Sequence, residues 1–186
     1  MRIIGGKFKS KRFKAPKHIT ARPTTDFAKE ALFNIIYNNY DFEDLIVLDL
    51  FSGIGSISLE FFSRGTQDIT LVEKDKKHIQ FINRMVQELE AFDNVHTIQL
   101  DAFKYLKTCT RKFNMIFADP PYSLDKGMEV PEIIFENKIL MPGGLLILEH
   151  QKKIPAPEHE FYKETRNYGN LNFSFYEMPL KKEEEE

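Results

Sequence analysis

From residue 44 onward, short apolar runs alternate with stretches in which apolar residues recur every three or four positions. Ile46-Val47-Leu48-Asp49-Leu50 is too short and too continuously apolar for a surface helix, so it reads as a strand buried on both faces. A glycine loop at residues 52–56 follows, then a helix over 57–63 that ends near Gly65. The rhythm repeats with a second strand at 69–73, a helix over 76–89, a third strand at 95–100 and a short helix after Asp101. A fourth strand at 112–118, a helix around 132–137 and a fifth strand at 144–149 complete it. Such regular alternation predicts an α/β fold, a doubly wound and mostly parallel sheet with right-handed crossovers.

Both ends depart from this rhythm. Residues 161–167 and 171–178 are aromatic-rich strands separated only by Tyr168-Gly169-Asn170, which leaves no room for a helix and predicts an antiparallel hairpin. At the start, residues 3–9 and 11–15 alternate weakly and Pro16 closes the second segment, giving a small β-ribbon or extended arm. Thr24-Thr25-Asp26 offers an N-cap, and Ala28, Ala31, Leu32, Ile35 and Ile36 carry a helix to about residue 38. The chain thus divides into an N-terminal extension over 1–40, a sheet domain over 41–180 and an acidic tail at 181–186.

Net charge is −2 over 186 residues, but its distribution is uneven. The first 25 residues hold eight basic groups and no acidic one, leaving 18 basic against 28 acidic in the remainder. Lys7, Lys9, Lys11, Arg12, Lys14 and Lys17 form an electrostatic footprint for a nucleic-acid backbone. Phe8 and Phe13 among them either stack on bases or pack, and a solvated basic ribbon is the plainer alternative. Cys109 is the only cysteine and the five histidines lack ligand spacing, so neither an internal disulfide nor a metal is expected. With no apolar run of membrane length and no signal-like start, the expected location is cytoplasmic.

Asp119-Pro120-Pro121-Tyr122 follows the fourth strand, at the carboxyl end where open α/β sheets bind ligands. Two prolines lock φ and supply no N–H, which leaves a fixed carboxylate and a fixed Pro120 carbonyl able to accept two hydrogen bonds from one exocyclic amine. The Tyr122 ring gives that amine's heterocycle a stacking face. A Pro-Pro turn whose Asp caps a helix is the alternative. Asp49, Phe51, Gly53 and Gly55 mark the loop after the first strand, and its glycines permit a tight turn and close backbone approach. A nicotinamide site is disfavoured there, because Ser58 stands at the third glycine position and Asp49 is negative where a pyrophosphate would sit. Asp49 suits a cationic ligand instead. Glu73 and Asp101 end the second and third strands, placed to accept from ribose hydroxyls and an adenine amine, with Ala102 and Phe103 flanking the ring.

With these residues in view, the chain resembles the class I S-adenosylmethionine-dependent methyltransferases, and within them the 16S rRNA guanine-N2 methyltransferases of the RsmD family. The likeness runs through Arg2-Ile3-Ile4-Gly5-Gly6, Arg22-Pro23-Thr24-Thr25-Asp26, Glu30-Ala31-Leu32-Phe33-Asn34, the 49–55 loop and the 119–122 tetrapeptide, in that order. It implies a Rossmann-like, seven-stranded sheet ending in the hairpin, S-adenosyl-L-methionine as cofactor, and a guanine of ribosomal RNA in a partly assembled small subunit as acceptor. It places Asp49, Phe51, Gly53 and Gly55 around the methionine part, Glu73 on the ribose, Asp101 and Ala102 at the adenine, and Arg22 and Thr24 near the methionine carboxylate or the catalytic loop. An amino methyltransferase acting on adenine N6 or another nucleic acid shares the tetrapeptide, and a non-catalytic RNA-binding assembly protein could keep the fold.

Overall fold

The structure is a computed structural model and describes residues 1–16, 19, 24–122 and 124–180. Seven strands form one sheet: β1 Ile46–Leu50, β2 Asp68–Glu73, β3 Val95–Gln99, β4 Phe113–Ala118, β5 Leu140–Gln151, β6 Tyr162–Tyr168 and β7 Leu171–Glu177. Their order across the sheet is β3-β2-β1-β4-β5-β7-β6. The first five are parallel, while β7 runs antiparallel to both β5 and β6. Helices α1 Asp26–Asn39, α2 Ser56–Ser63, α3 Lys76–Glu88, α4 Ala102–Thr108 and α5 Val130–Glu136 complete the fold.

Alternate residues of the central strands enter opposite cores, which is why the strands read as continuous apolar runs. Val47, Met115, Phe117 and Ile147 pack with α1, α2 and α3 on one face. Leu48, Leu50, Ile116 and Leu148 pack with α4 and α5 on the other. Strand β5 is longer than its apolar run suggests, because Leu140 pairs with Phe113 of β4 ahead of that run and β7 pairs with it as far as Gln151. Short 3₁₀ turns at Phe42–Asp44 and Asp125–Glu129 have no periodicity and were not legible. Among the described residues no helix is long and apolar enough to cross a membrane.

The start of the chain is a docked element. Arg2 and Arg12 form a single antiparallel bridge, so the expected ribbon is reduced to its shortest form. Phe8 stacks on Phe62 with ring centroids 5.7 Å apart, and Phe13 is buried, so both aromatics pack and neither is presented to bases. Residues Ile3 and Phe13 share a core with α1 and α2.

The buried stripe of α1 also differs from the expected one. It runs through Ala28, Lys29, Leu32, Phe33 and Ile36, because a lysine can be buried when its charge is matched. Lys29 Nζ lies 3.5 Å from Glu60 Oε2 and donates to the Arg2 carbonyl at 2.6 Å and to Ser56 Oγ at 3.2 Å. Glu60 in turn accepts from Ile4 N–H at 2.9 Å and Arg64 Nε at 3.0 Å. One buried carboxylate therefore joins the N-terminal strand, α1 and α2. Desolvation holds the Lys29 pKa below its ordinary value against the pull of Glu60.

The turn after this strand closes on the end of α2. Lys7 N–H donates to the Ser63 carbonyl at 2.6 Å, Phe8 N–H to Ser63 Oγ at 2.9 Å, and Ser63 Oγ to the Gly5 carbonyl at 2.6 Å. Gly6 has φ +71°, and a Cβ there would lie 1.8 Å from the Ser63 carbonyl oxygen. Gly6→Ala is expected to undo this clamp and cost about 2 kcal/mol or more. Urea unfolding of the two proteins checks it, and an unchanged midpoint would mean the turn does not bear on stability.

Candidate active site

The carboxyl ends of the parallel strands open into a cavity of about 980 Å³. The loop after β1 supplies one wall. Phe51, Gly53 and Gly55 have φ of +59°, +55° and +74°, a left-handed run that turns the chain from β1 into α2. Phe51 packs edge-on against Phe103, 5.7 Å between centroids, and lines the cavity together with Gly53. Gly55 is the N-cap of α2 and lies outside the cavity wall; a Cβ there would sit 3.1 Å from Ile82 Cγ1.

Glu73 ends β2 and braces this loop. Its Oε2 accepts from Gly53 N–H and its Oε1 from Asp75 N–H, both at 2.8 Å. Asp101 caps α4 by accepting from Phe103 N–H at 3.1 Å and Lys104 N–H at 3.2 Å, and with Ala102 it also lines the cavity. Cap and cavity roles coincide, because a strand end at this edge is also a helix start.

Strand register gathers three further carboxylates. Asp49 lies opposite Phe117, so it points to the same face of the sheet as Phe117 and, two residues on, Asp119. Ala118 pairs with Leu148, which sets Asp119 beside Glu149. Asp49 is 1% exposed, and its Oδ2 accepts from Ser58 N–H at 3.2 Å and Ser58 Oγ at 2.5 Å. It lines a small recess that it shares with Phe51, Gly53, Thr24 and Asp119, beneath the main cavity. Glu149 is buried and accepts from Thr24 Oγ1 at 2.8 Å, which ties the entry to α1 onto β5.

Burial raises the Asp49 pKa to about 7, with the Glu73 charge adding to it and the Ser58 hydrogen bonds opposing it. Asp119 is raised well above the carboxylate range, first by burial and then by the charges of Glu149 and Asp49. Such a group of acids is unfavourable when fully ionised and is relieved by a proton or by a positively charged ligand.

The tetrapeptide lies where the sequence places it. Asp119 N–H reaches the Leu50 carbonyl at 3.4 Å, extending the ladder by one residue before Pro120 and Pro121 end it. Pro121's carbonyl accepts from Leu124 N–H at 2.8 Å, and Tyr122 is 46% exposed at the cavity wall. Thr24 lines the same cavity, whereas Arg22 and Lys17 lie outside the described residues.

The described basic residues of the arm, Lys7, Lys9, Lys11, Arg12 and Lys14, are absent from the cavity wall. Lys7, Lys9, Arg12 and Lys14 are exposed, and Lys11 pairs with Glu88 at 3.1 Å. Lys7 and its turn sit at the carboxyl end of α2, whose amino end faces the glycine loop. Glu149, Phe27, Lys152 and Tyr168 line the cavity without having been singled out in the sequence. Glu149 carried the available signal, an acid at the end of an apolar strand, as in Glu73 and Asp101. For Phe27 and Tyr168 no local pattern exists, since only the hairpin's place beside β5 brings them to the site.

A parallel β3-β2-β1-β4-β5 order closed by an antiparallel hairpin, with a glycine loop after β1 and a cavity at the strand ends, defines the class I methyltransferase fold. An RNA methyltransferase from Salinibacter ruber, solved in complex with S-adenosyl-L-homocysteine, shares it at TM-score 0.65 and 17% identity over 88% of this chain and 98% of its own. The model of the family described as Conserved hypothetical protein 95 matches residues 1–177, and the chain belongs to that family, the RsmD-like methyltransferases. "Ribosomal RNA small subunit methyltransferase D" of Escherichia coli K12 is 30% identical over 157 residues, covering 84% of this chain and 78% of its own. A solved hypothetical protein of Thermus thermophilus superposes at TM-score 0.82 with 26% identity, covering 96% of this chain and 99% of that one.

The raised carboxylates fix a direction for stability against pH. Asp49 has a folded pKa of about 7 against an ordinary value of 3.8, so its contribution is full below about pH 4 and is lost as pH rises to 7. Within that window one such group lowers stability by about 1.4 kcal/mol per pH unit. Asp49→Asn is expected to flatten the profile between pH 5 and 7, measured by chemical denaturation at each pH. A profile identical to wild type would show that Asp49 does not titrate there.

Proposed function

We propose that this protein transfers a methyl group from S-adenosyl-L-methionine to the exocyclic N2 amine of a guanine in small-subunit (16S) ribosomal RNA. The observation that carries this reading is Asp119-Pro120 set beside Glu149 in the same cavity as the acidic ends of β2 and β3. The relatives named ribosomal RNA small subunit methyltransferase D support rRNA as the substrate, and a partly assembled subunit is the form proposed for it.

The wall fits the cofactor. Asp49, Asp119 and Glu149 form a set of acids that favours a cation, and S-adenosylmethionine carries a sulfonium and an ammonium. Phe51, Gly53 and the 49–55 turn would hold the methionine part, Glu73 the ribose, and Asp101 with Ala102 the adenine, while Thr24 shapes the same wall through Glu149. Gly55 contributes by turning the loop. When bound, the cofactor supplies an electrophilic methyl group.

The chain's own residues handle the amine. A guanine N2 is a weak nucleophile because its lone pair is delocalised into the ring. Asp119 and the Pro120 carbonyl accept its two N–H bonds, favour a pyramidal nitrogen and fix the lone pair's direction. Pro121 keeps that loop stiff, and Tyr122 offers the ring a stacking face. After transfer the nitrogen is cationic and acidic. Asp119, ionised while a cationic ligand occupies the site and made more basic by its burial and by the charges of Glu149 and Asp49, takes the proton. A paired guanine cannot present its amine in this way, so the acceptor must be unpaired or flipped.

Asp119→Ala is expected to lower methyl transfer by roughly 10²–10⁴-fold while S-adenosylmethionine still binds, measured by single-turnover assay and calorimetry. Unchanged turnover would remove Asp119 from the chemistry. The acceptor is identified by mass mapping of small-subunit rRNA nucleosides from cells with and without the protein. Loss of an N2-methylguanosine is the expected result; loss of an N6-methyladenosine would move the reading to adenine.

A further inference from the structure

The cavity has a second half, lined by neither the glycine loop nor the tetrapeptide. Beyond Glu149 its wall is made by residues 151–153 and by the β6–β7 turn, and this wall contains two exposed lysines, Lys152 and Lys153, and no carboxylate. The two turns are pinned together, since Lys152 N–H donates to the Asn170 carbonyl at 3.1 Å. Across from them the first turn of α1 presents Phe27, 71% exposed, with its ring 6.3 Å from Tyr168 at an interplanar angle of 67°. Tyr168 is itself supported by Phe173 at 5.6 Å, so Phe27 stands on a fixed base while its outer face is open.

We propose that Phe27, Tyr168, Lys152 and Lys153 form a subsite for the nucleotide next to the acceptor, the base stacking on Phe27 and its phosphates lying against the two lysines. The subsite rests on the RNA methyltransferase reading above. Charge divides the cavity in the sense this requires. The acidic half suits a cation, and the basic, aromatic half suits an anion joined to a flat ring. Single-stranded RNA has that composition, and an acceptor turned out of its helix to reach Asp119 displaces its neighbours toward the cavity rim. Residues from α1, the end of β5 and the β6–β7 turn then share one partner, which gives the C-terminal hairpin a function beyond closing the sheet.

The test uses the full-length protein with small-subunit rRNA from cells lacking it, and compares Phe27→Ala, the pair Lys152→Ala/Lys153→Ala, and the control Phe92→Ala. Phe92 is also exposed, at 61%, and is absent from the cavity wall. Phe27→Ala is expected to raise KM for RNA about tenfold, the weight of one stacked base, without loss of S-adenosylmethionine binding. The double lysine variant is expected to reduce the slope of log affinity against log salt by roughly 1.4, the share of two single-strand phosphates. Phe92→Ala should leave both quantities as in wild type. Wild-type KM and salt slope in both subsite variants, with wild-type protein active, would overturn the subsite and leave the methyltransferase reading standing. Failure of the wild-type protein to methylate any RNA would overturn that reading and the subsite with it.

Discussion

Burial of several carboxylates at one end of the sheet, compounded by their mutual repulsion, is the constraint around which this site is built. Parallel register alone brings Asp49, Asp119 and Glu149 to one face and one end of the sheet, and Glu73 adds its charge from the neighbouring strand. A chain selected for stability would not keep four acids there. The surrounding residues hold them without neutralising them: Ser58 donates twice to Asp49, Thr24 to Glu149, and backbone N–H groups to Glu73. Hydrogen bonds of this kind orient a carboxylate while leaving lone pairs for a ligand. Under the proposed function a bound cation would relieve that cost, and burial together with the neighbouring charges would make Asp119 a better proton acceptor.

The opposite case is Glu60, an acid whose charge is satisfied within the fold. Lys29, Arg64 and the Ile4 N–H surround it, and each comes from a different part of the chain. Removing Lys29 would leave the Glu60 charge buried without its fully buried counter-ion, which costs far more than the intact pair contributes. Through Glu60 the N-terminal strand is fixed to α1 and α2, and α2 begins at the glycine loop. The basic segment is therefore held in place relative to the cavity, and shortening it would disturb the core before it affected any partner.

Much of this was legible because it depends on local pattern. Strands and helices of a two-faced parallel sheet differ in period, and the 161–178 segment has no space for a crossover helix. Asp119, Glu73 and Asp101 stand out in the sequence because they end or follow apolar strands, where ligands bind in this fold class, and all three line the cavity. What escaped depends on register and tertiary neighbours. Lys29 looks like a surface lysine until Glu60 is known, so the buried stripe of α1 takes in Lys29 and Phe33 where the spacing suggests Ala31 and Ile35. Phe8 and Phe13 alternate with basic residues as stacking aromatics would, but each has an apolar surface within the fold to cover. Phe27 and Tyr168 are 141 residues apart and meet only because β7 pairs with β5, which carries their turn to the carboxyl edge.

Geometry separates the two basic surfaces in a way that bears on the proposed substrate. Lys7 and its turn lie at the end of α2 farthest from the glycine loop, and an eight-residue helix is about 12 Å long. Lys152 and Lys153 lie at the cavity itself. A short flexible strand bound at the cavity has no reason to reach the arm, because ordering extra nucleotides over that distance opposes binding. An RNA already folded into a fixed surface can touch both at little further cost in entropy. Under the proposed function, the docking of the arm on α2 therefore favours a folded RNA over a free single strand: the cavity would take the flipped base, and the arm a backbone whose position the RNA's own fold has set.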